Sequence, residues 1–300
     1  MPMIDTGSTR LAYDEAGDGP AVVLLHAGAA DRRMWDHQFA ALSADHRVVR
    51  YDRRGVGGSA DHEGPVEHHR DLLDLMDALD IDRATLVGAS YGGAHAVDAA
   101  LTAPDRVEAL ALVCPGMSGH RWPPSFADAA AAAVGTAVPA ENLARYRAGN
   151  AEPDPADVAA MAQAQARFMV AGPGRAPEDL APEAWDLSLL MLRELFARLW
   201  SSPANTPRWI DPPANGRLAE VAVPALVVKG LSDVREIQEV ADLYTAGVPG
   251  ARLLELPDTG HLPSVERPAE LTAALAGFLS EAPAGFWRPE GDIRGTRMST

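Results

Sequence analysis

The chain has 300 residues, a formal net charge of −16 and a single cysteine, Cys114. That length supports one large domain, or a domain carrying an insertion. The negative charge argues against nucleic acid or an anionic membrane as partner, and one cysteine excludes an intramolecular disulfide, which suits a reducing cytoplasm. The start, Met1-Pro2-Met3-Ile4-Asp5, lacks the basic segment and apolar core of a signal peptide, and no apolar run reaches the ~18–20 residues of a membrane span.

Arg10 to Glu15 reads as an extended segment, and Ala21 to Leu25 as a strand buried on both faces. Arg32 to Leu42 carries Trp35, Phe39 and Leu42 at helical spacing. His46 to Tyr51 is the next strand, followed by the glycine-rich turn Asp52 to Ser59 and an amphipathic helix from Val66 to Leu79. Ala84 to Val87 is a short strand, Ala94 to Ala103 a helix, and Val107 to Val113 another apolar strand. Alternating strands and helices predict βαβ units around a largely parallel sheet.

From Pro115 to about Pro213 the alternation stops. Helices are expected at Ser125–Val134, Ala140–Ala148, Pro155–Val170 and Pro182–Trp200, with no strand. The pattern resumes with a strand at Pro224–Lys229, a helix at Val234–Ala246, a strand at Ala251–Leu256 and a helix at Pro268–Ser280. The chain therefore divides into an α/β core (1–114 and 214–281), a helical lid (115–213) and a C-terminal extension (282–300). Phe286 and Trp287 of the extension are expected to dock on the core.

Between the strand at 84–87 and its helix, Gly88-Ala89-Ser90-Tyr91-Gly92 fits G-x-S-x-G. A sharp strand-to-helix turn there strains the serine backbone and exposes its hydroxyl. A serine nucleophile needs a base, and the base an orienting acid. Loops at the carboxyl ends of parallel strands converge on one sheet edge. Of nine histidines, only His26 and His261 follow such strands; His261, after Gly260 in a loop, is the better base. His37, His46, His62, His68, His69 and His120 read as solvated, and His95 points away along the elbow helix. For the acid, Asp233 follows a strand end, while Asp258 is too close in sequence to reach round to His261. Asp233 could instead cap the next helix, and one residue is not expected to do both.

The order Ser90, Asp233, His261 resembles the α/β-hydrolase superfamily. Five motifs carry the likeness: His26-Ala27-Gly28, Asp52-Arg53-Arg54-Gly55-Val56-Gly57-Gly58-Ser59, Gly88-Ala89-Ser90-Tyr91-Gly92, Gly230-Leu231-Ser232-Asp233 and Gly260-His261. The resemblance implies an α/β-hydrolase fold, with a mostly parallel sheet of about eight strands and a lid after the sixth. It implies an oxyanion hole from the Tyr91 N–H and one from the first loop, at Gly28 or alternatively Ala29, with Ala27 standing where the family usually has glycine. His26 and Arg54 are then structural. The expected activity is hydrolysis of a small-to-medium apolar carboxylic ester. The same triad could serve a lactone, a thioester, a C–C bond beside a ketone, or perhydrolase- or lyase-like chemistry. No cofactor or metal is implied; the partner is a small acyl substrate. Lid aromatics and methionines, among them Trp122, Phe126, Met169 and Trp209, supply an apolar wall. Arg167 and Arg175 are candidates for a substrate carboxylate, with solvation the simpler role.

Overall fold

The computed structural model describes residues 2–202 and 205–281; the C-terminal extension, with Phe286 and Trp287, lies outside them. In chain order the strands are β1 (Met3–Asp5), β2 (Arg10–Ala16), β3 (Ala21–Leu25), β4 (Arg47–Tyr51), β5 (Gly64–Val66), β6 (Ala84–Ala89), β7 (Val107–Val113), β8 (Asn205–Pro207), β9 (Ala225–Gly230) and β10 (Arg252–Leu256). The α-helices are α1 (Asp36–Leu42), α2 (His68–Ala78), α3 (Tyr91–Thr102), α4 (Pro124–Val134), α5 (Ala140–Arg147), α6 (Pro155–Gln165), α7 (Pro182–Ser201), α8 (Arg235–Gly247), α9 (Pro263–Glu266) and α10 (Pro268–Glu281).

Eight strands form one sheet in the order β1-β2-β4-β3-β6-β7-β9-β10. β1 and β2 pair antiparallel and the strands from β4 to β10 pair parallel. The central strands β6 and β9 are buried at every residue, because helices cover both faces. This is an α/β-hydrolase fold. Apolar side chains on the two faces form separate clusters, one around Val22, Leu24, Val87 and Val113, the other around Val23, Leu25, Leu86 and Leu112. Alternation along each strand produces that division.

The segment between β7 and β9 departs from expectation in two places. It holds a strand, β8, which pairs in parallel with β5 outside the main sheet. The helix expected over Pro155–Val170 ends at Gln165 and continues as a π-helical turn, Ala166–Ala171, closed by Gly172 at φ 83°. Three of the segment's four helices begin with proline: Pro124, Pro155 and Pro182 each take the first helical position, where the missing N–H would have no partner anyway. Tyr146, Met161 and Trp200 pack with Val138 and Val158 as a small core of this segment alone.

Asp98 ties the elbow helix to both ends of the insertion. It is fully buried on α3 and accepts from the Ser118 hydroxyl at 2.6 Å, and that hydroxyl accepts the Ala214 N–H at 2.9 Å. Burial pushes the Asp98 carboxyl up to about 6, against the lowering effect of the Ser118 bond. The folded chain thus keeps a proton that the unfolded chain releases near pH 4. The stability this proton confers is present in acid and is lost as pH rises through about 6. Asp98→Asn is expected to match the native protein near pH 4 and to exceed it by about 2–3 kcal/mol at pH 8. Thermal melts across pH 4–8 measure this; a constant difference would exclude the ionisation.

Candidate active site

Ser90 sits between β6 and α3 with φ 50° and ψ −115°, a region that side-chain-bearing residues rarely enter. The strain is held from both sides: Ser90 N–H donates to Val113 O at 2.9 Å, and Ser90 O accepts the Gly116 N–H at 2.8 Å. The helix starts at Tyr91, three residues before the expected Ala94. A Cβ on Gly92 would come within 2.5 Å of Leu25 O, so only glycine lets the elbow approach β3 this closely.

Asp233 and His261 meet from the loops after β9 and β10. His261 Nδ1 lies 2.7 Å from Asp233 Oδ2, and both side chains are 1% exposed. A carboxylate only accepts, so Nδ1 carries the proton and Nε2 is left as the basic atom. Asp233 Oδ1 also accepts the Val234 N–H at 2.7 Å. One residue therefore holds both the histidine and the start of α8, contrary to the expectation that these roles compete; a carboxylate has two oxygens. Asp258 is exposed, at φ 49°. Cys114 Sγ lies near the pair, the three donor atoms falling within 4.8 Å of one another. Burial and the Asp233 carboxylate push its thiol well above the usual range, so it stands there as a protonated packing group rather than a thiolate ligand.

The His261 loop is braced from the insertion. Glu266 accepts the Gly260 N–H at 2.8 Å and pairs with Arg175, both side chains being largely buried. Arg175 is thus neither solvated nor open to substrate, whereas Arg167 is exposed. His261 N–H donates to Met169 O at 3.3 Å. A Cβ on Gly260 would collide with Val170 O, and one on Gly172 with Ser232 O. The π-helical turn is therefore packed backbone to backbone against the loops carrying His261 and Asp233.

His26 is fully buried. Its Nε2 accepts the Arg53 N–H at 3.0 Å and its Nδ1 donates to Ala27 O at 2.7 Å. Burial, with Arg53 nearby, lowers its pKa to about 3, so the ring is neutral and structural. Ala27 has an ordinary backbone and spends its N–H on Met34 Sδ at 3.2 Å. Among the described residues the Gly28, Ala29 and Tyr91 N–H groups have no partner. Gly28 faces the elbow: a Cβ there would touch Tyr91 Cβ at 3.5 Å. Arg54 pairs with Asp71 through both carboxylate oxygens, bracing the turn after β4 as expected.

Ser90 opens on a cavity of about 220 Å³ walled by Trp122, Phe126, Met169 and Trp209 from the insertion and by Met117 and Ile237. Met117 and Ile237 were not foreseen as wall residues. Ile237 packs at helical spacing like any core residue, and only the fold turns it toward Ser90. Tyr146, Met161 and Trp200, by contrast, serve the insertion's own core. A larger groove of about 840 Å³ runs among the alanines of α4 and α6 and does not include Ser90. Two further corrections concern histidines. His68 and His69, expected in solvent, are 2% and 3% exposed. His95 does leave the serine's side, and stacks on Trp209 with ring centres 4.8 Å apart.

Residues 20–268 match the family described by the α/β-hydrolase fold. The chain belongs to that family. Among curated relatives of this α/β hydrolase, it is 25% identical to carboxylesterase YbfK of Bacillus subtilis over 91% of this chain and 84% of that protein. It is 26% identical to the putative carbamate hydrolase RutD of Azorhizobium caulinodans, over 94% and 99%. Among solved structures, the enol-lactonase of Burkholderia xenovorans LB400 superposes with a TM-score of 0.69 at 27% identity, covering 93% of this chain and all of that one. The three relatives agree at the level of hydrolase and differ in the bond named. Among the described residues no helix is long and apolar enough to cross a membrane.

Proposed function

We propose that this α/β hydrolase is a serine hydrolase that cleaves small carboxylic esters with apolar acyl groups. The observation that carries the reading is the buried His261–Asp233 hydrogen bond on the edge where Ser90 is held at positive φ. In this reading His261 Nε2 removes the Ser90 proton as Oγ attacks the carbonyl carbon, and Asp233 stabilises the imidazolium. The Tyr91 and Gly28 N–H groups receive the oxyanion, each worth about 3 kcal/mol. His261 then returns the proton to the leaving alkoxide, and water repeats the sequence on the acyl-enzyme. None of these steps calls on a metal or organic cofactor. The apolar cavity favours a short acyl chain, and the helical insertion acts as the lid that selects it. The lone, buried cysteine suits a cytoplasmic setting.

A lactone is the second reading, supported by the likeness to the enol-lactonase. It uses the same attack, with the leaving alkoxide remaining tethered to the acyl group. The test is a panel of 4-nitrophenyl esters of two to eight carbons beside matched lactones, together with labelling by a fluorophosphonate. Ester turnover that peaks at short chains, with stoichiometric labelling, is the expected result. An unlabelled protein would overturn the serine mechanism. Lactone turnover well above that of every ester would select the second reading.

A further inference from the structure

Behind the elbow lies a group of buried polar side chains that the proposed mechanism does not use. Arg53 is 7% exposed, and among the described residues its guanidinium makes no ion pair or hydrogen bond. The neighbouring carboxylates are already engaged. Asp52 accepts from the Arg32 N–H at 3.0 Å, from the Gly58 N–H at 2.8 Å and from the Arg32 guanidinium. Asp71 is occupied by Arg54, and its Oδ2 lies 3.6 Å from His68 Nδ1, beyond a hydrogen bond. Among the described residues the Tyr91 hydroxyl, His68 Nδ1 and both ring nitrogens of His95 are also buried without a partner. Arg53 Cζ lies 4.7 Å over the Tyr91 ring. That contact eases the charge but satisfies none of its N–H donors.

A buried cation without a counter-charge is costly, and so is each unpaired donor beside it. Burial, aided by Arg53, keeps the His68 and His95 rings neutral, so each offers one N–H rather than a competing positive charge. The group is continuous with the proposed active site. Tyr91 and Trp209 line the cavity at Ser90, and both also pack against His95. The Arg53 backbone holds His26, which in turn holds the Gly28 loop.

We propose that Arg53, with the Tyr91 hydroxyl and the His68 imidazole, binds a carboxylate behind the elbow that carries Ser90. A planar guanidinium fork accepts a carboxylate on two parallel N–H groups, and the hydroxyl and imidazole supply further donors. The ligand class is a small aliphatic acid. It can arrive as the free end of an ester or lactone substrate, which deepens the hydrolase reading and rests on it, or as a separate small carboxylate.

Binding is measured by calorimetry on Ser90→Ala protein, which cannot turn over, using acetate, succinate and glutarate with chloride as control. Saturable carboxylate binding is expected, weakened about ten- to a hundredfold in Ser90→Ala/Arg53→Met and partly restored in Ser90→Ala/Arg53→Lys. Thermal melts show whether each variant is folded; removal of an unpaired buried cation is not expected to lower Tm. In the active enzyme, 4-nitrophenyl hemiglutarate is compared with 4-nitrophenyl pentanoate. A substrate subsite makes the ratio of their kcat/KM fall at least about tenfold on Arg53→Met. Binding that depends on Arg53 with no change in that ratio assigns the site to a free carboxylate. Absence of carboxylate binding, or binding indifferent to Arg53 in folded protein, overturns the proposal. Because the binding arm needs no hydrolysis, its failure is separate from failure of fluorophosphonate labelling.

Discussion

Asp233→Asn is expected to lower kcat by about 10⁴-fold with little change in KM. The reason lies in the two bonds this carboxylate makes. Its Oδ1 accepts the Val234 N–H at 2.7 Å, so an asparagine here is oriented with its carbonyl oxygen on Val234 and its amide nitrogen toward His261. The amide can only donate, which forces Nδ1 to accept and leaves the ring proton on Nε2. That tautomer cannot take a proton from Ser90. The packing is otherwise kept, so folding should survive and the loss should lie in kcat. Steady-state kinetics on the best ester of the panel decides it. Activity within tenfold of native would remove Asp233 from the proposed triad. Asp258→Asn is the matched control, since that carboxylate is exposed and is expected to leave kcat unaltered.

The second large effect is at Ser90 itself. Ser90→Ala should reduce kcat by about 10⁶-fold and abolish fluorophosphonate labelling. Ser90→Gly should be equally inactive yet more stable than native by about 1 kcal/mol or more, because glycine takes φ 50° without the steric cost a Cβ incurs. Denaturant titration of the three proteins separates the effects. A glycine variant less stable than the native protein would mean that the serine backbone is not strained by the turn. Residual labelling of either variant would place the nucleophile elsewhere.

What could be read in the chain beforehand followed from burial on both faces. Ala21–Leu25 is apolar throughout and Val107–Val113 is apolar except for Glu108, and they coincide with β3 and β7. The five motifs landed at strand ends because loops of a parallel sheet have few other places to go. Ser90, Asp233 and His261 are nameable as candidates for the same reason. Short strands were not: β5 and β8 are three residues each, contain proline, and show too few residues for alternation. The π-helical turn was hidden because helical spacing of apolar residues runs straight through Ala166 to Val170. A histidine at the start of a helix looks polar in sequence, and only the fold buries His68 and His69. Arg53 was read with its motif as part of a turn, since nothing in a linear pattern shows that a side chain lacks a partner.

The π-helical turn separates two kinds of adaptability in this protein. Gly172 and Gly260 bring its backbone against the loops of Asp233 and His261 with no side chain between. Substitutions that alter its path move Asp233 and His261 as well as the cavity. Trp122 and Phe126 on the approach to and first turn of α4, and Trp209 after β8, touch the cavity without holding either loop. Under the proposed mechanism, variation at those three positions remodels the cavity while Asp233 and His261 stay aligned, so they are the positions at which a library is expected to find new substrate ranges at the lowest cost in turnover.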